Sequence, residues 1–267
     1  MNNSQTISET DSSKADIESV GVGLSGLLSC RLKLAPAELH LWQATLNDRL
    51  AECLEGVLSA EEISRADRFH FAKDRTHFVA ARGLLRTLLS VYLQTNPEEL
   101  RFSYAEKGKP FLEEGQQGAI KFNLAHSHGM AICAFALRRE VGVDLEYIRE
   151  ELADEKIAER FFSVREIKML KSVSAELRKR AFFNCWTRKE AYIKARGEGL
   201  SMPLDEFDVS LTPGEPAALL RNHKEPQEVR RWTMRDIPAP SGYVAALVVE
   251  GNDWRLKSFR LEEDWLS

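Results

Sequence analysis

Two stretches of this chain share one rhythm, and that repeat constrains the fold more than any other feature. A long helix-patterned segment rich in aromatics, over 69–92 and again over 181–196, precedes strand-patterned segments. Each set of strands includes a hairpin whose second member is rich in alanine: Ala131-Ile-Cys-Ala-Phe-Ala in one half, Val244-Ala-Ala-Leu-Val-Val in the other. Apolar faces of helical period beside faces of period two are buried together by packing helix on sheet. The repeat reads as a duplication. It predicts an α+β protein of two similar lobes in a pseudo-twofold arrangement, each with helices packed on a small antiparallel sheet. The expected division is a mobile tail over 1–25, rich in Ser, Thr, Asn and Asp, an N-terminal lobe over 26–139 and a C-terminal lobe over 140–267.

At 267 residues the chain can bury a full core. With 43% hydrophobic and 29% charged residues and a net charge of -4, nothing points to nucleic-acid binding over the whole surface. The longest purely apolar run, over 130–137, is far below the roughly 18 residues a membrane span needs. No basic segment followed by an apolar one opens the chain, so no secretion signal is expected. Cys30, Cys53, Cys133 and Cys185 lie far apart with no C-x-x-C spacing, and read as buried free thiols of a cytoplasmic protein.

Along the chain, 27–34 reads as a first strand, and a short helical segment is expected from Pro36 and Glu38. Ser59-Ala-Glu-Glu62 has the form of a capping box. Phe71, Phe78, Leu85 and Tyr92 recur every seven residues as a buried stripe. Arg68, Arg75 and Arg82, extended by Arg65 and Arg86, form a neighbouring stripe that is either solvated or the wall of an anion pocket. Strands over 120–123 and 130–137 are joined by Ala125-His126-Ser127-His128-Gly129, a turn shaped to hold a phosphate. Later strands are expected over 207–211, 228–235 and 243–249, with 254–261 as an edge strand.

Two stretches carry the chemistry. In extended chain Val141, Val143, Leu145 and Tyr147 face one way, and Gly142, Asp144 and Glu146 the other. The two carboxylates then stand about 7 Å apart along the strand. They repel unless a cation lies between them, and their oxygens are the hard ligands Mg²⁺ prefers; the alternative is an ordinary solvated strand face. In Trp186-Thr-Arg-Lys189-Glu190-Ala-Tyr-Ile-Lys194, a helix stopped by Gly197 and Gly199, Trp186, Glu190 and Lys194 share one side. Alone, that pattern is equally a surface salt bridge beside a core Trp.

Taken together with Arg160-Phe-Phe-Ser163-x-x-Glu166, Gly197-x-Gly199-Leu200, Gly108-Lys109-Pro110 and Phe122-Asn123-Leu-Ala-His126-Ser127, these stretches resemble the Sfp-type 4′-phosphopantetheinyl transferases. The motifs fall in the family's order between about residue 60 and residue 210 of the chain. The resemblance implies an enzyme that moves the 4′-phosphopantetheine of coenzyme A onto a serine of an apo acyl or peptidyl carrier protein. It also implies a reaction that is Mg²⁺-dependent and releases 3′,5′-ADP. It implies that Asp144, Glu146 and Glu190 hold Mg²⁺, that Glu190, Lys194 and His126 are catalytic, and that Arg65, Lys109, His126, Lys189 and Lys194 contact coenzyme A in a cleft between the lobes. A duplicated chain needs no second copy to complete such a cleft, so a monomer is expected. The chain departs from the family at Ala125, where a Ser is common. Two rival readings are a non-catalytic binder of coenzyme A or carrier, and another Mg²⁺-dependent phosphotransferase, for which no P-loop is present.

Overall fold

Two 22-residue helices frame the molecule, as the repeat predicts. The computed structural model describes residues 19–29, 31–104, 109–113, 119–149, 155–197, 199 and 202–262. The first half contains β1 (Ser19–Val22), α1 (Leu24–Ser29), β2 (Glu38–Thr45), α2 (Asp48–Leu54), α3 (Ala60–Ala66) and α4 (Ala72–Leu93). It continues with β3 (Phe102–Tyr104), β4 (Pro110–Leu112), β5 (Ile120–Ser127) and β6 (Met130–Leu137). The second half opens with β7 (Val141–Tyr147), α5 (Glu155–Phe161), α6 (Val164–Ser172) and α7 (Ala175–Arg196). After them come β8 (Phe207–Val209), β9 (Leu219–Asn222), α8 (Glu228–Arg231), β10 (Trp232–Asp236), β11 (Tyr243–Glu250) and β12 (Arg255–Leu261). The class is α+β.

Alternation along the strands builds four layers. Trp42 and Ala44 of β2, with Cys133 and Phe135 of β6, share a core with Leu84, Leu85, Leu88 and Leu89 of α4. The intervening residues Leu39, Leu41, Ile132 and Ala134 point the other way and meet Val143 and Leu145 of β7 and Leu247 of β11. The far face of that second sheet, Met234, Val244, Ala246 and Val248, packs with Phe183 and Tyr192 of α7. Helix, sheet, sheet, helix is the resulting order. Gly142 lets the last two layers touch: a Cβ there would lie 2.1 Å from the Ala191 carbonyl oxygen and 2.4 Å from the Ala195 nitrogen.

The two sheets are not alike. The second, ordered β10-β11-β7, is antiparallel. The first is ordered β1-β12-β2-β6-β5, with β12 parallel to both β1 and β2, so it is mixed rather than the small antiparallel sheet expected. Residues 254–261 therefore supply an interior strand, not an edge. β1 also brings 19–22 into this sheet instead of leaving them in a tail; residues 1–18 lie outside the described residues.

Among the described residues of 27–34 there is no strand, since 27–29 belong to α1, and the helix expected after Pro36 is β2. Six consecutive residues of β2 are buried, which erases the alternation that marks a half-buried strand. The expected capping box forms at Ser59/Glu62, and the Ser163-x-x-Glu166 motif forms a second. Gly197, at φ +75°, ends α7 with its N–H on the Ile193 carbonyl. The α4 stripe begins later than expected, since Phe71 is 65% exposed. Residues 228–231 are helical before β10 begins. Cys133 and Cys185 are buried free thiols; Cys53 is free but exposed, and Cys30 lies outside the described residues. Among the described residues no helix is long and apolar enough to cross a membrane.

Candidate active site

Because Gly142 lies against α7, its strand-mates Asp144 and Glu146 face that helix too. Opposite them α7 presents Glu190 and Lys194, one turn apart. Asp144 is buried, and its Oδ1 accepts a hydrogen bond from Lys194 Nζ at 2.6 Å. Its Oδ2 is also buried and has no hydrogen-bond partner. A buried carboxylate oxygen left without a donor is costly, and in native sites such an atom calls for a missing partner.

The electrostatics are those of a crowded acid site. Desolvation, then the Asp144 and Glu146 charges, push Glu190 up to about 7, with Lys194 opposing. Desolvation and Asp144 also raise Glu146, against its hydrogen bond from Ser127 and the Lys194 charge. For Lys194 desolvation acts downward, but Asp144, Glu190 and Glu146 outweigh it and its pKa is raised. Three carboxylates around one ammonium leave an excess of negative charge. That excess, the hard oxygen donors and the orphaned Asp144 Oδ2 fit a divalent cation of the Mg²⁺ type. Among the described residues, no group of three or more His, Cys, Asp or Glu side chains is placed to hold a metal ion.

His126 is the next-to-last residue of β5, on the strand face opposite Ser127. Desolvation, then the His77 and Lys194 charges, lower its pKa and favour the neutral ring. Lys109 donates to the Lys194 carbonyl oxygen at 2.7 Å and lies 3.6 Å from Glu140. Lys107 and Gly108 of its motif lie outside the described residues.

Two expected contacts are elsewhere. Lys189 is fully buried on the other side of α7, where its ammonium meets Glu166 at 2.8 Å and the Leu204 and Phe207 carbonyls at 2.6 Å each. Those three acceptors use all three of its protons, so the expectation that it binds coenzyme A is corrected: it ties α7 to α6 and β8. Arg65, on α3, stacks its guanidinium 5.3 Å from the Phe78 ring centre. It opens onto a cavity of about 470 Å³ shared with Arg68, Arg101 and Tyr104, none of which belongs to the acid cluster. Arg82 and Arg86 do not line an anion wall through solvated tips; both are buried on Glu62.

A model of the 4′-phosphopantetheinyl transferase superfamily matches residues 140–248, and one of the N-terminal region of 4′-phosphopantetheinyl transferases matches residues 40–137. The 4′-phosphopantetheinyl transferase HetI of Nostoc sp. is 38% identical over 229 residues, 85% of this chain and 93% of that protein. The chain belongs to this transferase family. Its Sfp-type character is seen in two Bacillus subtilis transferases. One, ffp, is 34% identical over 70% of this chain and 82% of its own length. The other, Sfp, is 33% identical over 58% of this chain and 66% of its own length.

Three residues of this transferase have roles that motif reading missed. Ser127, expected to help hold a phosphate, donates instead to Glu146 Oε2 at 3.1 Å. Asn123 Oδ1 accepts the Val143 N–H at 2.8 Å. Glu166 is both the capping-box acid and the counter-ion of Lys189. The signal for the first two was available: Asn123, Ala125 and Ser127 share one strand face, and polar residues there need partners across the neighbouring layer.

Proposed function

We propose that this transferase moves the 4′-phosphopantetheine group of coenzyme A to a serine of an apo acyl or peptidyl carrier protein, with Mg²⁺ held by Asp144, Glu146 and Glu190. The observation that supports the reading is a buried Asp144 Oδ2 with no hydrogen-bond partner, in a site where the charges of Asp144, Glu146, Glu190 and Lys194 act on one another. When bound, Mg²⁺ supplies charge neutralisation to the pyrophosphate and makes its phosphorus more electrophilic.

The serine oxygen forms a bond to the phosphorus that carries the pantetheine. The pyrophosphate bond breaks, and 3′,5′-ADP leaves with the electron pair. Glu190 accepts the serine proton, directly or through one water. Lys194, its positive charge reinforced by the acids, stabilises the charge that develops on the departing phosphate. His126 contributes a ring nitrogen to a coenzyme phosphate, Lys109 an ammonium beside the last turn of α7, and Arg65 a guanidinium toward the nucleotide end.

The proposed frame is two pseudo-twofold lobes whose chains part near residue 139, with β12 crossing back to complete the first sheet, and each sheet is covered on its outer face by α4 or α7. Such a frame closes the cleft within one chain, in keeping with a cytoplasmic monomer. The test is the mass gained by an apo carrier protein incubated with coenzyme A and Mg²⁺. Asp144→Asn and Glu190→Gln are expected to stop transfer while melting as folded proteins. Full transfer by either variant would refute the assignment, and a wild type that binds coenzyme A without turnover would favour the pure binder.

A further inference from the structure

β5 and β7 are the outer strands of their two sheets, and they lie side by side without a main-chain ladder between them. Side chains of β5 take the ladder's place. Asn123 Oδ1 accepts the N–H of Val143 at 2.8 Å, and Ser127 Oγ accepts the N–H of Tyr147 at 3.2 Å. Both links span twenty residues, so the strands run in a parallel register that brackets Asp144 and Glu146. Ser127 differs from Asn123 in one respect: its single O–H proton goes to Glu146 Oε2, at 3.1 Å. A serine serving only as mortar between strands would need its lone pairs and not that proton.

The hairpin tip that carries Ser127 is pinned by two contacts of His128. His128 holds φ +51°, a left-handed conformation that is unfavourable for a residue with a Cβ. Its ring stacks on Tyr147 with centres 4.4 Å apart and planes at 7°. Its carbonyl oxygen accepts from Tyr243 Oη at 2.8 Å. His128 and Gly129, at φ +51° and +85°, supply the two positive-φ positions of a two-residue hairpin loop, and these contacts fix the tip, and Ser127 with it, against β7 and β11.

We infer that Ser127 is a positioning residue of this site, whose hydroxyl orients the Glu146 carboxylate toward the divalent cation. The inference rests on the metal reading given above. Groups that hydrogen-bond to a metal ligand fix its orientation, and their loss typically costs about 10- to 100-fold in metal affinity.

The test uses Mn²⁺ as the probe, titrated into the whole protein and followed by electron paramagnetic resonance, with thermal melts run on every variant. Ser127→Ala is expected to weaken Mn²⁺ binding by about 10- to 100-fold. Ser127→Thr keeps the hydroxyl and is expected to bind Mn²⁺ close to the wild-type level, a rescue that a packing role for the small side chain does not predict. In transfer assays the alanine variant should need correspondingly more Mg²⁺ for half-maximal rate, while its rate at saturating Mg²⁺ stays near that of the wild type. Should Ser127→Ala melt early, Ser127→Cys, near in size but a weak donor, carries the same expectation. Wild-type affinity in both the alanine and cysteine variants overturns the inference. A wild type that fails to bind Mn²⁺ at all overturns the metal reading itself.

Discussion

Glu190→Gln should make the metal-free protein more stable at alkaline pH while removing its activity. Desolvation and the Asp144 and Glu146 charges raise the carboxyl from its ordinary 4.5 to about 7, so ionising it in the folded state is uphill. At 1.36 kcal/mol per tenfold, that rise is about 3 kcal/mol as an upper value, and partial exposure to the cleft brings the expected gain to about 1–3 kcal/mol. The sign follows from linkage. A carboxyl whose folded pKa is raised gives its stability below the unfolded value and loses it as pH climbs through the folded value. The wild type therefore loses this contribution between about pH 4.5 and 7, and the amide does not. Thermal melts with EDTA at pH 4 and pH 8.5 test this, and Gln should lead by about 2–12 °C at the higher pH only, at roughly 2–4 °C per kcal/mol for a chain of this size. Added Mg²⁺ should narrow the gap by stabilising the wild type through binding. A variant no more stable than wild type at pH 8.5, or one equally favoured at both pH values, would refute the reasoning.

Gly142→Ala should fail to yield soluble protein or melt far below wild type, because its Cβ would sit 2.1 Å from a helix carbonyl oxygen; near-normal melting would show that α7 can move away. Lys189→Ala strands the Glu166 charge in a fully buried setting and should cost about 3–5 kcal/mol in denaturant unfolding. The folded fraction of that variant should keep its KM for coenzyme A, and a selective rise in KM would return Lys189 to the binding set. For Glu62 desolvation acts upward, but Arg82 and Arg86 with the Ser59 N–H outweigh it and hold the pKa below the usual range. Its contribution is present above the unfolded pKa and lost as pH falls through the folded one, so Glu62→Gln should lower the melting temperature at pH 7 and much less under acid. An equal drop at both pH values would remove the ionic explanation.

The chemistry was legible because it depends on short-range pattern. Period two along 141–147 sets Asp144 and Glu146 on one face, and the four-residue step sets Glu190 beside Lys194. The capping boxes were legible for the same reason. What could not be read were pairings over long separations. Lys189 and Glu190 are adjacent in sequence, but only the placement of α6 and β8 sends one ammonium into the core. The same holds for Arg82 and Arg86, whose partner Glu62 lies on another helix. β2 was misread because a strand covered on both faces has no amphipathic pattern to reveal it.

The position of β12 has a consequence for how this protein is made. Its slot lies between β1 and β2, strands translated more than two hundred residues earlier. During synthesis the first sheet stays open until residues 255–261 clear the ribosome, exposing two unpaired strand edges to neighbours or chaperones. Cutting near residue 139 would therefore not release two independent halves; the leading piece would carry a gap one strand wide, fillable by a peptide spanning 255–261 supplied separately.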